Sequence, residues 1–409
     1  MQSKMALEGI RVLDFTQYGA GPTCAEILSQ WGADVIKIEH PERGDSVRGL
    51  QTGAGVTQRE QGFFNYMFEH ANMNKKSFTL DLSKKEGQAI LYKMVAKTDI
   101  FLGAMRTREV EKFGISYETL KKYNPKLIYA LLTGYGIHGE AQDEPGFDTV
   151  AYFDRSGLSY MMANEEGAPP WPRPGQGDIP SGMYLACGIM LALFARERLG
   201  IGQAVYASLY RNGVWSMAAD TMHTCATMPH QNPAKRYRET ANNPIANYYK
   251  TKDKRFLLIY HMQADFYWER VCKALGIENL KDDPRFNSIP ARAENCVALI
   301  KILDDIFAKK TLDEWMEHLS HFKLVFSPVH TPLEAFNDPQ AKANHHYVEF
   351  DHPVWGKIDL CPAPLDFTET PGTYRTPAPN LGQNTEEILL EMGYNWDDIT
   401  KFKDQKVIG

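Results

Sequence analysis

The 409-residue chain is short of several things. Its six cysteines, Cys24, Cys187, Cys225, Cys272, Cys296 and Cys361, are scattered with no two close together. That excludes the dense disulfide framework of a small secreted domain and fits reduced thiols in a cytoplasmic protein. Positive charge is not in excess: 45 Lys and Arg stand against 51 Asp and Glu, a net charge of −6. A nucleic-acid binder would show a basic face, so no nucleic-acid partner is expected, although a local cationic pocket for a phosphorylated ligand is not excluded. The longest apolar run, Met183 to Ala195, is about 13 residues. A bilayer span needs roughly 20, so this reads as a core helix and no membrane partner is expected. The stretch "MQSKMALEGIRVLDF" has neither the apolar segment nor the cleavage site of a secretory leader. Metal-ligand spacing is also missing. His223, Cys225 and His230 in "HTCATMPH" have no second cluster beside them, and His345 and His346 read as loop residues. No metal is expected, and no internal repeat is present.

What is there begins with a βαβ pattern. "IRVLDFT" (10–16) reads as a short buried strand, "QYGAG" as a loop, Pro22 as a helix opener, and "DVIKIEH" (34–40) as a second strand. A right-handed crossover then implies a parallel sheet. "SKKEGQAILYKMVAKTD" (83–99) has helical spacing, while "IFLGAM" and "LIYALLTGYG" read as further strands, so residues 1–200 form an open α/β sheet. Residues 201–240 are expected to be a linker, with "TCATMPHQNPAKRYRETANNPIANYYK" (224–250) polar and turn-rich. A smaller α+β domain is expected over 241–345, with "ADFYWERVCKALGI" and "VALIKILDDIFAKKTLDEWMEHLSHF" as amphipathic helices. Residues 346–409 return to complete the first domain.

Two motifs carry chemistry. Gly19 and Gly21 follow a strand, with the acid Glu39 about 20 residues on, as in a dinucleotide fingerprint. The third glycine is Cys24 and Pro22 interrupts the pattern, which weakens a nicotinamide-dependent oxidoreductase reading. The second motif is "RPGQGDIPSGMYLACGIMLALFARERLG" (173–200), where Asp178 sits among glycines and prolines before an apolar helix. Asp178 either caps that helix or, at the edge of a dry core, serves as a covalent nucleophile beside free helix N–H groups that hold an oxyanion. His138 in "TGYGIHGE" is a lone candidate base in a Gly-rich loop.

Along nearly its whole length the chain resembles the family III (CaiB/BaiF) CoA-transferases. The resemblance lies in "LEGIRVLDFTQYGAGPTCAEILSQWGADVIKIEHPERGDSVRG", "HANMNKKSFTLDLSKKEG" (70–87), "LGIENLKDDPRFNSIPARAEN" (275–295), the segment 326–367 and the ending "NLGQNTEEILLEMGY". It implies a large Rossmann-like domain, a small α+β domain and an interlocked dimer, with a hetero-oligomer of related chains or an inactive partner subunit as alternatives. No cofactor is permanently bound; acyl-CoA and a carboxylic acid are the substrates. "GDIPSG" matches the family's catalytic aspartate at Asp178. It implies that Asp178 moves CoA through an aspartyl anhydride and an aspartyl–CoA thioester. CoA contacts carry over to Gly19, Ala20, His40, Leu80, Asp81, Ser83, Ala104, Met105, Arg106 and Lys112, and to the "PGFD" loop at Gly146, Phe147 and Asp148. The cofactor turn is expected to lack the carboxamide of oxalate-linked members, Gly19 standing in its place. Related α-methylacyl-CoA racemases carry a histidine where this chain has Phe147, which cannot move a proton, so transferase ranks above racemase. "TGYGIHGEAQDEPGFDTVAYFDRSG" is most similar to the anaerobic branch acting on 2-hydroxy, aryl and succinate-type acids. Phe147, Tyr152 and Tyr160 are expected to face a bulky acyl group.

Overall fold

The computed structural model describes residues 5–49, 52–53, 56–57 and 65–409; the first four residues of the stretch read for a leader lie outside them. The chain divides into two compact units, one of residues 1–160, 169–232 and 345–409, the other of residues 161–168 and 233–344.

The larger unit is built on a six-stranded parallel sheet. Its strands are β1 (Arg11–Phe15), β2 (Asp34–Glu39), β3 (Lys75–Thr79), β4 (Ile100–Ala104), β5 (Ile128–Thr133) and β6 (Gln203–Ser208). They lie in the order β3-β2-β1-β4-β5-β6, all paired in parallel. This is the doubly wound dinucleotide-fold order, whose chain direction switches between β1 and β4. Strands β4 and β5 are buried almost throughout, as expected of a sheet covered on both faces. One face packs on helix α1 (Ala20–Gln30) and helix α2 (Asp178–Leu199) through Val12, Leu28, Ile100, Leu185 and Ile189. The other packs through Leu13, Ile36, Phe101, Leu91 and Tyr129, with Leu389 and Ile408 of the C-terminal segment.

Residues 201–240 are therefore not a plain linker. "QAVYAS" forms edge strand β6, and helices Leu209–Ser216 and Ala218–Ala226 follow. The strand escaped the composition argument because it is half-buried and follows a Gly-flanked turn. Helix α2 also differs from expectation. It is long and apolar enough by composition to cross a membrane, yet one face, including Ser181, Gly182, Leu185, Ile189 and Leu193, is buried in this unit. Its other face leaves Leu191 66% and Phe194 60% exposed, so it is not enclosed all round.

The smaller unit holds a three-stranded antiparallel sheet of Ala246–Lys250, Phe256–Tyr260 and Phe326–Pro328. Its core gathers Tyr249, Leu257, Trp268, Leu303, Phe307 and Trp315. The long amphipathic stretch 297–322 is two helices, Cys296–Phe307 and Leu312–Ser320, because Thr311 and Glu314 form a capping box that restarts the chain.

Candidate active site

The carboxyl ends of β1, β2, β3 and β4 frame a cleft of about 440 Å³ at the switch point, where open α/β sheets bind ligands. His40, Leu80, Asp81, Ser83, Ala104, Met105 and Lys112, all expected contacts, line it. Gln17, Arg43 and Ser46 line it as well and were not singled out from the sequence. Position 19 of the turn is glycine, as expected, and a carboxamide stands two residues earlier at Gln17, whose Oε1 accepts a hydrogen bond from Ser46 Oγ at 3.3 Å. Glu39 also faces this cleft, but its carboxylate is spent inside the protein. It accepts bonds from Arg48 Nε (2.7 Å) and Nη2 (2.8 Å), Ser77 Oγ (2.6 Å) and Asp45 N–H (3.0 Å). Burial works to raise its pKa, yet these donors and the Lys37 charge outweigh it and hold the pKa low. Glu39 therefore has no capacity for the ribose hydroxyls that a dinucleotide fingerprint would place on it.

Beside the cleft lies a chamber of about 270 Å³. The two share Gln17, Ala104, Met105 and Glu109. Gly19, Ala20, Arg106, Gly146, Phe147 and Asp178 line the chamber. Arg106 is paired with Glu109, which adds an acid that the sequence reading passed over.

Close helix contact sets the position of Asp178. A Cβ at Gly182 would lie 2.8 Å from the Ala20 carbonyl oxygen and 2.9 Å from Thr23 Cβ, so glycine lets α2 lie directly on α1. One turn earlier, Asp178 then meets Gly19, where a Cβ would come within 2.3 Å of Asp178 Oδ2. Asp178 is the first residue of α2; the cap is Gly177, and no side chain caps the helix. The capping role left open by the sequence is thus not adopted, and the carboxylate accepts no hydrogen bond among the described residues. Burial, reinforced by the nearby Asp148 charge, raises its pKa to about 7.

Asp148 is not a chamber wall, contrary to expectation. It is 5% exposed, and it ties two loops together. Its Oδ2 accepts Gly175 N–H (2.9 Å) and Gly177 N–H (3.1 Å), and its Oδ1 accepts Thr149 N–H (2.8 Å). The free donors expected at the head of α2 are mostly taken up, and only the Asp178 N–H has no backbone partner there among the described residues. Ile179 N–H bonds to the Gly175 carbonyl and Ser181 N–H to the Gly177 carbonyl, and Pro180 has no N–H. Two further donors lie at the head of α1, where Ala20 and Gly21 N–H have no backbone partner among the described residues. Phe147 lines the chamber and meets Tyr18 edge-on at 5.4 Å. Tyr152 packs behind Gly177 instead, and Tyr160 does not line the chamber. His138 lines neither space, and no metal-ligating group of three exists among the described residues.

A six-stranded 3-2-1-4-5-6 sheet, with a carboxylate that accepts no bond among the described residues beside a nucleotide-sized cleft, fits an α/β enzyme that binds a nucleotide-bearing substrate. The family model for CoA-transferase family III matches residues 7–385, and the chain belongs to that family. It is 35% identical over 404 residues to the (R)-2-hydroxy-4-methylpentanoate CoA-transferase of Clostridioides difficile, covering 99% of this chain and 100% of that one. It is 32% identical to the cinnamoyl-CoA:phenyllactate CoA-transferase of Clostridium sporogenes, covering 98% and 96%. A solved CaiB/BaiF family protein from Brucella suis superposes with a TM-score of 0.83 at 26% identity, covering 95% of this chain and 100% of that chain. The protein is a CoA-transferase that moves CoA from an acyl-CoA thioester to a carboxylic acid; the oxidoreductase and racemase alternatives are not favoured.

Proposed function

We propose that Asp178 is the covalent nucleophile and that the acids exchanged are 2-hydroxy, aryl or succinate-type carboxylates. The observation that carries this is the half-buried Asp178 carboxylate, which accepts no hydrogen bond among the described residues and lines a chamber that shares Gln17, Ala104, Met105 and Glu109 with the cleft. Asp178 Oδ attacks the donor thioester carbonyl and expels CoA thiolate, leaving an aspartyl–acyl anhydride. The thiolate attacks the aspartyl carbonyl, releasing the donor acid and leaving an aspartyl–CoA thioester. The acceptor carboxylate attacks that thioester, expelling thiolate and forming a second anhydride. Thiolate then attacks the acceptor carbonyl and frees Asp178. Each tetrahedral oxyanion needs fixed donors, and Ala20 and Gly21 N–H at the head of α1, next to Gly19, are the groups suited to it. Water would hydrolyse the anhydrides, so a chamber walled by Met105, Leu132, Phe147 and Leu209 suits the route. Lys112, Arg43 and His40 supply positive charge and donors for CoA phosphates at the mouth of the cleft.

The apolar wall and the likeness to enzymes named for 2-hydroxy-4-methylpentanoate and phenyllactate support this substrate class. Six free thiols fit a cytoplasmic setting. A homodimer is part of the same reading. The outward row of α2 continues into an apolar groove of about 640 Å³ containing Tyr184, Val205, Trp215 and Met222, a face suited to a second copy. One relative is the beta subunit of a succinyl-CoA–L-malate CoA-transferase, so a related chain is the other candidate partner. Sedimentation at twice the 46.4 kDa chain mass supports the dimer, and a monomer removes it.

The test of the substrate class is a crossed panel of 2-hydroxyacyl-, aryl- and succinyl-CoA donors with the corresponding free acids, plus formyl-CoA and oxalate. New thioesters are read by chromatography. Exchange among the first three classes at least about tenfold above oxalate is expected; turnover confined to oxalate overturns the assignment. Without an acceptor acid, no α-proton exchange with deuterated water is expected.

A further inference from the structure

Between the cleft and the chamber runs a turn, Thr16–Gly19, that carries no reacting group. Tyr18 adopts φ +68°, the left-handed region that a bulky side chain disfavours. It is held there from below. Asp45 Oδ1 accepts Tyr18 N–H at 3.3 Å and Val47 N–H at 3.0 Å. Asp45 Oδ2 pairs with Lys37 Nζ at 2.8 Å, both side chains fully buried. Lys37 Nζ also donates to the Thr16 carbonyl at 2.9 Å. One ion pair therefore grips the turn at its first carbonyl and at its third N–H. The next residue is Gly19, whose missing side chain makes the space for Asp178 Oδ2. The same Asp45 belongs to the segment 43–46 that edges the cleft.

Stability is a poor reason for such a pair. Taking two charges out of water costs about what their attraction returns, and apolar replacements of similar size are often neutral. What the pair does supply is a fixed place for a strained turn, which persists only where its surroundings over-determine it.

We propose that Lys37 and Asp45 are positioning residues for group transfer. They hold the Tyr18 turn so that Gly19 seats the Asp178 carboxylate, and they join the cleft edge at 43–46 to the nucleophile's floor. This rests on Asp178 being the nucleophile.

The test is the single-turnover rate of Asp178 acylation, read by hydroxylamine trapping and mass measurement of the Asp178 peptide. It is compared with the CoA dissociation constant from calorimetry, using whichever acyl-CoA the full-length protein turns over. Asp45→Asn keeps the shape but removes the charge that holds Lys37. It is expected to slow acylation about tenfold or more while CoA affinity stays within about threefold, since small misplacements near reacting atoms are costly in rate. Tyr18 is 41% exposed, so Tyr18→Gly and Tyr18→Val provide a second pair whose folding is not at stake. Both lose the ring, but glycine accepts the left-handed turn and valine resists it. Acylation about tenfold faster in Tyr18→Gly than in Tyr18→Val is expected. Rates equal within twofold in that pair, or an Asp45→Asn enzyme that acylates like the unaltered protein, overturn the proposal. Absence of any Asp178 adduct in the unaltered, turning-over enzyme overturns the nucleophile assignment instead.

Discussion

The cleft and the chamber are neighbours built by opposite rules. The cleft is bordered by charged and polar groups at the ends of four strands, and its ionisable residues are either solvent-facing, as Lys112 is, or internally satisfied, as Glu39 is. The chamber is walled largely by glycine, alanine, leucine and aromatic residues, its charged wall groups Arg106 and Glu109 are paired with each other, and its central acid has no donor among the described residues. The first can bind charge without altering it. The second alters the charge it holds, since burial, reinforced by the Asp148 charge, moves Asp178 well above an ordinary carboxylate. The contrast separates affinity from reactivity, and the changes that follow are expected to fall on one side or the other.

The largest effect belongs to the chamber. Asp178→Asn is expected to lower kcat by at least about 1,000-fold, as loss of a covalent nucleophile does, with CoA affinity within a few fold by calorimetry. Gly19→Ala comes next. The added Cβ would sit 2.3 Å from Asp178 Oδ2, so the carboxylate must move, and a fall in kcat of about 100-fold with little change in KM is expected. Lys112→Ala acts on the cleft. One exposed charge contact is worth about 1 kcal/mol, so KM for acyl-CoA should rise about fivefold with kcat unchanged in steady-state assays. Any of these that moved the other parameter instead would break the division.

The pH dependence sharpens the same contrast. A nucleophilic carboxylate must be ionised, so kcat/KM for acyl-CoA is expected to climb with pH and level off above about 7. Asp148→Asn removes a like charge and should move that midpoint to lower pH. Stability runs the other way. The folded pKa of Asp178 is raised above its unfolded value, so the native state binds more protons between the two. Its contribution to stability is therefore present at low pH and is lost as pH rises toward about 7. Asp178→Asn should accordingly melt a few degrees higher at pH 8, by roughly 2–4 °C, and by less at pH 5 in calorimetric scans.

Beneath both regions the buried Lys75–Asp14 pair, at 2.8 Å with both side chains fully buried, marks a third behaviour. Lys75→Met removes the ammonium paired with Asp14, leaving it only the Lys37 charge outside pairing distance, and is expected to cost about 3 kcal/mol by chemical denaturation.

The sheet was legible because fully buried strands read as short apolar runs between turn signals, as in "RVLDF" and "IFLGA". Edge strand β6 was not, since half its residues face away from the core and its alternation is weak. The unusual setting of Asp178, a carboxylate between glycines before an apolar helix, was legible in the sequence, which left capping and chemistry both open there until the "GDIPSG" likeness singled it out. Asp45 and Gln17 were not. A charged residue in "ERGDS" reads as solvated loop, and only the fold brings Lys37 up beneath it from the middle of β2. Glu39 and Asp148 illustrate the converse error. Spacing suggested a ligand contact at Glu39 and the family likeness of the "PGFD" loop one at Asp148, but each carboxylate accepts bonds from groups inside the protein, among them Ser77 for Glu39 and Gly175 and Gly177 for Asp148.

The most direct measurement follows oxygen. With an oxygen-18-labelled acceptor carboxylate and an active donor acyl-CoA, the second anhydride breaks so that one acceptor oxygen stays on the aspartate. After turnover, mass analysis of the peptide containing Asp178 should show incorporated oxygen-18 at that residue, and none when the acceptor or the donor is withheld. Complete turnover with Asp178 unlabelled would contradict the account, because CoA would then have moved without an anhydride on this carboxylate.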